Sequence, residues 1–216
     1  MKGSGGQECT HHSRSDAGKN RPVRFITNHS TGKMGRAIAE NCMLRGAHVT
    51  LVNASVSVEP PMFVDVVNVT SAADMADVVK SKAAEQDIII MTAAVADFCP
   101  SHPADEKIKK NDSSYESVIE LERTEDILSY LGAHKAKGQL ICGFSMETQN
   151  MLENSKAKLA KKNADMIVAN NLKVAGAGFG TDTNVVTLIT ADDCTELEIM
   201  DKSCVAARIM DRLLQM

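Results

Sequence analysis

A carboxylate and a basic cluster lie close together in the stretch TAAVADFCPSHPADEKIKK, residues 92 to 110. Asp97 follows an apolar run that reads as a strand, and Lys107, Lys109 and Lys110 come after Pro100 and Pro103. A carboxylate at a strand end can accept hydrogen bonds from a ligand's amino group. A lysine on a loop can swing over phosphates as a point charge. Taken alone, such a loop is more often merely solvated. A second group, NHSTGKMG, places Asn28, Ser30, Thr31, Gly32, Lys33 and Gly35 at a helix start. Backbone N–H groups, hydroxyls and small residues there make a phosphate cradle. The stretch is neither GxxxxGK[ST] nor GxGxxG, and a plain helix cap fits it as well. In KAKLAKK, Lys158 and Lys162 are spaced i, i+4 and share one helix face. That face could reach an anion or simply meet water. GFSMET puts Phe144 past a strand end, followed by Glu147, and AGAGFGTDTN offers Asp182 and Asn184. A core phenylalanine, a helix cap and a chain turn are the plain alternatives.

The elements that must position these groups alternate. TGKMGRAIAENCMLRG reads as a helix ending at Gly46, AHVTLVNA and FVDVVNVT as strands, and SAADMADVVKSKAAE as a helix capped by Ser71. DIIIMTAAV is a continuous apolar strand of the kind buried on both faces of a parallel sheet. ESVIELE reads as a strand, EDILSYLGAHKA as a helix, QLICGF as a strand, NMLENSKAKLAKK as a helix and DMIVAN as a strand. The end reads NVVTLIT, a turn at Asp192 and Asp193, TELEIM, and a closing helix KSCVAARIMDRLLQ. Strands alternating with helices predict a Rossmann-like three-layer α/β/α domain, with a mainly parallel sheet and an added C-terminal β-hairpin. In such sheets ligands bind beyond the carboxyl ends of the strands, where the candidate groups fall. Residues 1–20 are polar and aperiodic and read as a disordered segment, leaving residues 21–216 as one domain.

Composition narrows the function classes. The net charge of -4 and the 3% aromatic content exclude a general nucleic-acid binder, which needs a basic footprint and stacking rings. No apolar run is long enough to cross a bilayer. Six scattered cysteines without zinc spacing read as reduced thiols of a cytoplasmic protein.

In order along the chain, VRFITNHSTGKMG, TAAVADF, EKIKK, TEDIL, GFSMET, KLAKKNADMIVAN and GFGTDTN together resemble the phosphopantothenoylcysteine synthetase family. The resemblance runs from about Arg21 to the C-terminus. It implies activation of 4′-phosphopantothenate by a nucleoside triphosphate, then attack by L-cysteine to form an amide in coenzyme A biosynthesis. KIKK and KLAKKNAD are similar to bacterial members, which implies CTP, an acyl-cytidylate intermediate and Mg²⁺ held mainly by the triphosphate. By position, Met91, Thr92 and Ala93 would line the nucleotide site, Asp97 would read the cytosine edge, and Lys107 would neutralise the triphosphate. Thr124, Glu125, Asp126, Ile127, Phe144, Lys158 and Lys162 would complete the pocket. Asn28 would act in conversion of the acyl-cytidylate, and Ser30, Thr31, Gly32 and Gly35 would approach the phosphates. No protein metal ligand is implied.

The resemblance also implies a homodimer. Many bacterial members carry an N-terminal flavin-dependent decarboxylase domain that 216 residues do not accommodate, so a separate decarboxylase is an expected partner. Relatives begin with a strand and a Gly-Gly-Thr turn that is replaced here, so an inactive nucleotide-binding remnant stands as an alternative. A Rossmann-type NAD(P)-dependent oxidoreductase using STGKMG as its turn is another.

Overall fold

The computed structural model describes residues 18–21, 24–26, 28, 30–54, 58–102, 119–147, 150–171, 178 and 180–216. Strands β1 (Gly18–Arg21) and β2 (Arg24–Ile26) form an antiparallel pair. Helix α1 (Lys33–Leu44), β3 (Thr50–Ala54), β4 (Asp65–Val69) and α2 (Ala72–Lys82) follow. Next come β5 (Ile88–Met91), β6 (Phe98–Pro100), β7 (Leu121–Arg123) and α3 (Ile127–Ala133). Then β8 (Leu140–Glu147) leads through α4 (Met151–Lys161) to β9 (Met166–Asn171). The chain closes with β10 (Thr183–Asn184), β11 (Val186–Ile189), β12 (Cys194–Glu196), β13 (Met200–Asp201) and α5 (Lys202–Leu213).

The central sheet runs β12-β11-β9-β8-β5. Its β5, β8 and β9 are parallel, whereas β11 is antiparallel to both β9 and β12, which is the expected C-terminal hairpin. β3 and β4 form a further parallel pair.

Period-two alternation of the strands separates the core into two halves. Ile88 and Ile90 of β5, Cys142 of β8, and Met166 and Val168 of β9 pack with Ile38 and Cys42 of α1 and Ile209 and Met210 of α5. Ile89 and Met91, Ile141 and Ile167 face the other way, onto Met75 and Val79 of α2, Leu131 of α3 and Leu159 of α4. Helices thus cover both faces, giving the predicted three layers. Leu51 joins the first half and Val52 and Ala54 the second, so β3 is sandwiched in the same manner.

Local signals account for the element boundaries. Ser71 caps α2 in a capping box, its hydroxyl accepting from the Asp74 amide while Asp74 accepts from the Ser71 amide. The side chain of Asp126 caps α3 through the Ser129 amide at 2.9 Å.

Several elements differ from the sequence expectation, among them TELEIM, which is not one strand but β12 and, paired with β10, β13. Residues 18–20, read as part of an unstructured segment, begin β1, because pairing with β2 rather than apolar periodicity forms that strand. Residues 98–100, read as loop, form β6 by pairing with β7. α3 is shorter than the EDILSYLGAHKA reading, starting after Asp126 and ending before His134. Residues 1–17 and the Lys107 loop lie outside the described residues. No described helix is long and apolar enough to cross a membrane.

Candidate functional site

Beyond the carboxyl end of β5 the chain leaves the sheet as residues 92–96, and this segment is held from two sides. The Asn28 side-chain amide donates to the Ala94 carbonyl at 2.6 Å. The Thr124 hydroxyl donates to the Ala96 carbonyl, and the Thr124 amide donates to the Asp97 carbonyl at 3.1 Å. The β6–β7 ladder, pairing Phe98 with Arg123 and Pro100 with Leu121, continues this attachment outward. The Arg123 guanidinium stands 5.8 Å above the Phe98 ring, a cation–π contact.

Opposite this wall, Asp126 is the N-cap of α3, and Lys158 of α4 stands one turn before the helix's C-cap, Lys162. The Lys158 ammonium donates to the Phe144 carbonyl at 2.9 Å, tying α4 to the end of β8. Lys162 donates to the Asp126 carboxylate and, at 2.8 Å, to the Ser129 hydroxyl. Burial acts to raise the Asp126 pKa, but the Lys162 ammonium and the Ser129 amide outweigh it and hold the carboxyl below its ordinary range. Glu125, beside it, pairs with Lys80 of α2, whose ammonium also stands 5.2 Å above the Tyr130 ring. The hydrogen bond to Glu125 raises the Lys80 pKa.

These walls enclose a cavity of about 450 Å³. Met91, Ala93, Asp97, Thr124, Glu125, Asp126, Ile127, Phe144, Lys158 and Lys162 all line it, so ten residues proposed from sequence converge on one space. Thr92 falls between two lining residues without being one of them. Lys107 lies outside the described residues. Arg123 and Phe98 also line the cavity and were missed by sequence reading. Their signal was slight, a lone Arg before the TEDIL stretch and a lone Phe after Asp97.

Asn28 connects the cavity to the second candidate group. Ser30 and Gly35 are buried and Thr31 is half-buried. Gly32 stands at the N-cap of α1 with φ of 90°, a left-handed conformation that a Cβ would penalise. The plain-cap alternative is therefore not met by a side chain, since α1 has no side-chain cap at its start. Lys33 turns from the helix start toward the Gly-rich loop and pairs with Asp182 at 2.7 Å. Asn184 donates to the Asn170 side chain at 2.8 Å, fixing the end of that loop to β9. Glu147 closes β8, and the N-cap position of α4 is Asn150.

The cavity offers fixed cations, carboxylates and two aromatic side chains around a space of about 450 Å³. Among the described residues no group of three His, Cys, Asp or Glu side chains is placed to hold a metal. Two of the cavity's carboxylates, Glu125 and Asp126, are already committed to lysines. The Cys142 thiol in β8 is buried, and burial, with Asp165 adding to it, pushes its pKa far above the ordinary thiol range. It supplies no thiolate.

Comparison with known proteins bears on this geometry. A family model, the DNA/pantothenate metabolism flavoprotein C-terminal domain, matches residues 18–216. The coenzyme A biosynthesis bifunctional protein CoaBC of Bacillus subtilis is 47% identical over 194 residues, which are 89% of this chain and 47% of that protein. A cysteine/cysteine sulfinic acid decarboxylase from an unknown prokaryotic organism is 45% identical over 89% of this chain and 54% of its own length. The chain therefore spans about half the length of these curated relatives. The crystal structure of the C-terminal domain of a CoaBC protein superposes with a TM-score of 0.80 at 39% identity, covering 97% of this chain and 94% of that one. The H337A mutant of Cab2 in complex with phosphopantothenate-cysteine shares the fold, with a TM-score of 0.75 at 16% identity over 96% of this chain and 86% of that one.

Proposed function

The chain belongs to the DNA/pantothenate metabolism flavoprotein C-terminal domain family, that of the phosphopantothenoylcysteine synthetases, and from this premise we propose that it ligates 4′-phosphopantothenate to L-cysteine with CTP. The observation that carries the reading is the convergence of Asp97, residues 124–127, Phe144, Lys158 and Lys162 on one cavity at the carboxyl ends of β5 and β8. A structure of the same fold holding phosphopantothenate-cysteine, and the coenzyme A biosynthesis name of the Bacillus subtilis relative, agree with it.

On this reading the reaction has two steps. The substrate carboxylate attacks the α-phosphorus of CTP, pyrophosphate leaves, and an acyl-cytidylate forms. The cysteine amino group then attacks the acyl carbon, cytidine monophosphate leaves, and a proton is lost from nitrogen as the amide forms. Lys158 and Lys162 face the cavity from one side and offset charge on the phosphate oxygens, with Lys107 as a further cation. Asp97, exposed at the opposite wall, accepts from the exocyclic amino group of the base. Asn28 orients the segment at residues 92–96, and its amide is the donor assigned to the second step. Mg²⁺ would arrive with the triphosphate and neutralise part of its charge. The active unit is a homodimer, with a decarboxylase supplying the next step of the route on its own chain or domain.

The test is pyrophosphate release from CTP and 4′-phosphopantothenate, then mass detection of the amide after L-cysteine is added. ATP serves as the competing nucleotide. Release with CTP and amide formation support the reading. CTP binding without turnover would identify an inactive remnant, and turnover with ATP alone would overturn the nucleotide assignment.

A further inference from the structure

The closing helix begins with a lysine that sequence reading passed over. Lys202 is the first residue of α5 and only 6% exposed. An ammonium buried to this degree must find acceptors, because an unpaired buried charge is strongly unfavourable. Its Nζ donates to the Gly178 carbonyl at 2.9 Å and to the Thr181 carbonyl. Its backbone amide donates to the Asp182 carbonyl at 2.9 Å, and the adjoining β10–β13 ladder pairs Thr183 with Asp201.

A second lysine holds the same loop from the opposite side. Lys33, the first residue of α1, donates to the Gly180 carbonyl at 3.1 Å and to Asp182 at 2.7 Å. One short loop is therefore grasped by the first residues of two helices that pack side by side on one face of the sheet. Directly before Lys33 comes Gly32, the residue held at φ of 90°. A cavity of about 610 Å³, lined in part by Lys33, Arg36, Glu59, Asp182 and Lys202, lies beside this junction.

We propose that Lys202 is a positioning residue: through the carbonyls of Gly178 and Thr181 it fixes the loop that Lys33 grips, and so fixes the turn at residues 30–35 against the start of α1. Its bearing on substrate rests on the ligase reading, to which we add that the turn, which does not line the 450 Å³ cavity, takes the phosphate of 4′-phosphopantothenate. Lys202 touches neither substrate nor nucleotide. Removing its ammonium takes that donor from the part-buried Thr181 carbonyl and leaves the Gly178 carbonyl only the Thr181 hydroxyl at 3.3 Å, so the loop loosens and Lys33 loses the fixed partner that orients the first turn of α1.

The test uses Lys202→Met in the full chain, with Asp182→Ala as a second variant because Asp182 is exposed and its truncation spares the core. Hydrogen exchange comes first, since it needs no activity. Lys202→Met is expected to speed exchange at least tenfold both in residues 180–183 and in residues 33–36. Faster exchange confined to residues 180–183, or spread evenly over the molecule, would overturn the coupling. In steady-state kinetics both variants raise the KM for 4′-phosphopantothenate, about tenfold for Lys202→Met and about threefold for Asp182→Ala. The KM for CTP stays within twofold. Equal rises in both KM values would mean general loosening and would sink the proposal. If the wild-type chain shows no ligation, the functional reading fails while the exchange result still decides the clasp.

Discussion

Gly132 sits in α3 where that helix crosses the end of α4. A Cβ built there would lie 1.8 Å from the Lys162 carbonyl oxygen, 2.8 Å from its carbon and 3.2 Å from the Asn163 Cβ. Ordinary contact begins at 3.4 Å, so Gly132→Ala forces the two backbones apart by roughly 1.6 Å. Backbone is the obstacle, so no rotamer change relieves it. Alanine in a helix gains about 1 kcal/mol over glycine. Overpacking of this kind costs about 1–3 kcal/mol, and the hydrogen bond from Asn163 to the Gly132 carbonyl, 2.7 Å long, is strained for about 1 kcal/mol more. The net loss is about 2 kcal/mol, or a Tm lower by roughly 4–8 °C for a chain of this size. Lys162 and Asp126 cap the two helices that must separate, so on the ligase reading the nucleotide site is damaged as well. A displacement near 1 Å can cost on the order of 100-fold in a positioned reaction, and the KM for CTP is expected to rise at least tenfold. Calorimetry and initial-rate kinetics measure both. A variant with an unchanged or higher Tm and an unchanged KM for CTP would refute the reasoning.

Ser71→Ala removes the α2 cap and is expected to cost about 1 kcal/mol, seen as a lower urea midpoint with unaltered KM values. Asp126→Asn keeps a capping side chain but removes the partner of Lys162. Because the Asp126 pKa is lowered in the fold, the wild type's advantage is full above the ordinary carboxylate range and disappears as pH falls through the lowered value. Urea unfolding of both proteins at neutral and acid pH shows whether the gap closes, and half-exposure of Asp126 keeps that gap small. Burial, with Lys33 adding to it, lowers the Lys202 pKa from 10.5 to about 8. The unfolded chain then holds more protons than the fold between these values, so wild-type stability relative to Lys202→Met climbs across that window by roughly 3 kcal/mol. A flat difference between pH 7.5 and pH 10 would contradict it. Asn28→Asp turns the donor to the Ala94 carbonyl into an acceptor facing another acceptor, so acyl-cytidylate should accumulate before cysteine attack; normal amide formation by this variant would count against the role of Asn28.

The parts of the fold that could be read from sequence are those built by periodicity. The run at residues 88–91 is apolar at every position because Ile88 and Ile90 serve one half of the core while Ile89 and Met91 serve the other. β1 and β6 were unreadable for the opposite reason. GKNR and FCP have no alternating apolar face, and only pairing with distant or adjacent strands makes them β-structure. In KAKLAKK the i, i+4 pair could have been a solvated face. The structure separates Lys156 and Lys161, which are exposed, from Lys158 and Lys162, which line the cavity. Lys202 gave no signal, since its burial depends on carbonyls more than twenty residues away in sequence.

Among the described lining residues of the 450 Å³ cavity, Arg123, Lys158 and Lys162 are matched in number by Asp97, Glu125 and Asp126. These walls therefore project almost no net field into the surrounding water, and an approaching polyanion is not drawn in from a distance by them. On the ligase reading, discrimination happens on contact, when a ligand with enough phosphate oxygens takes Lys162 from Asp126 and a base engages Asp97. A single inorganic phosphate can do only half of that exchange. Capture of nucleotide by these walls should accordingly depend weakly on ionic strength in its association rate, with salt acting instead on how long the ligand stays.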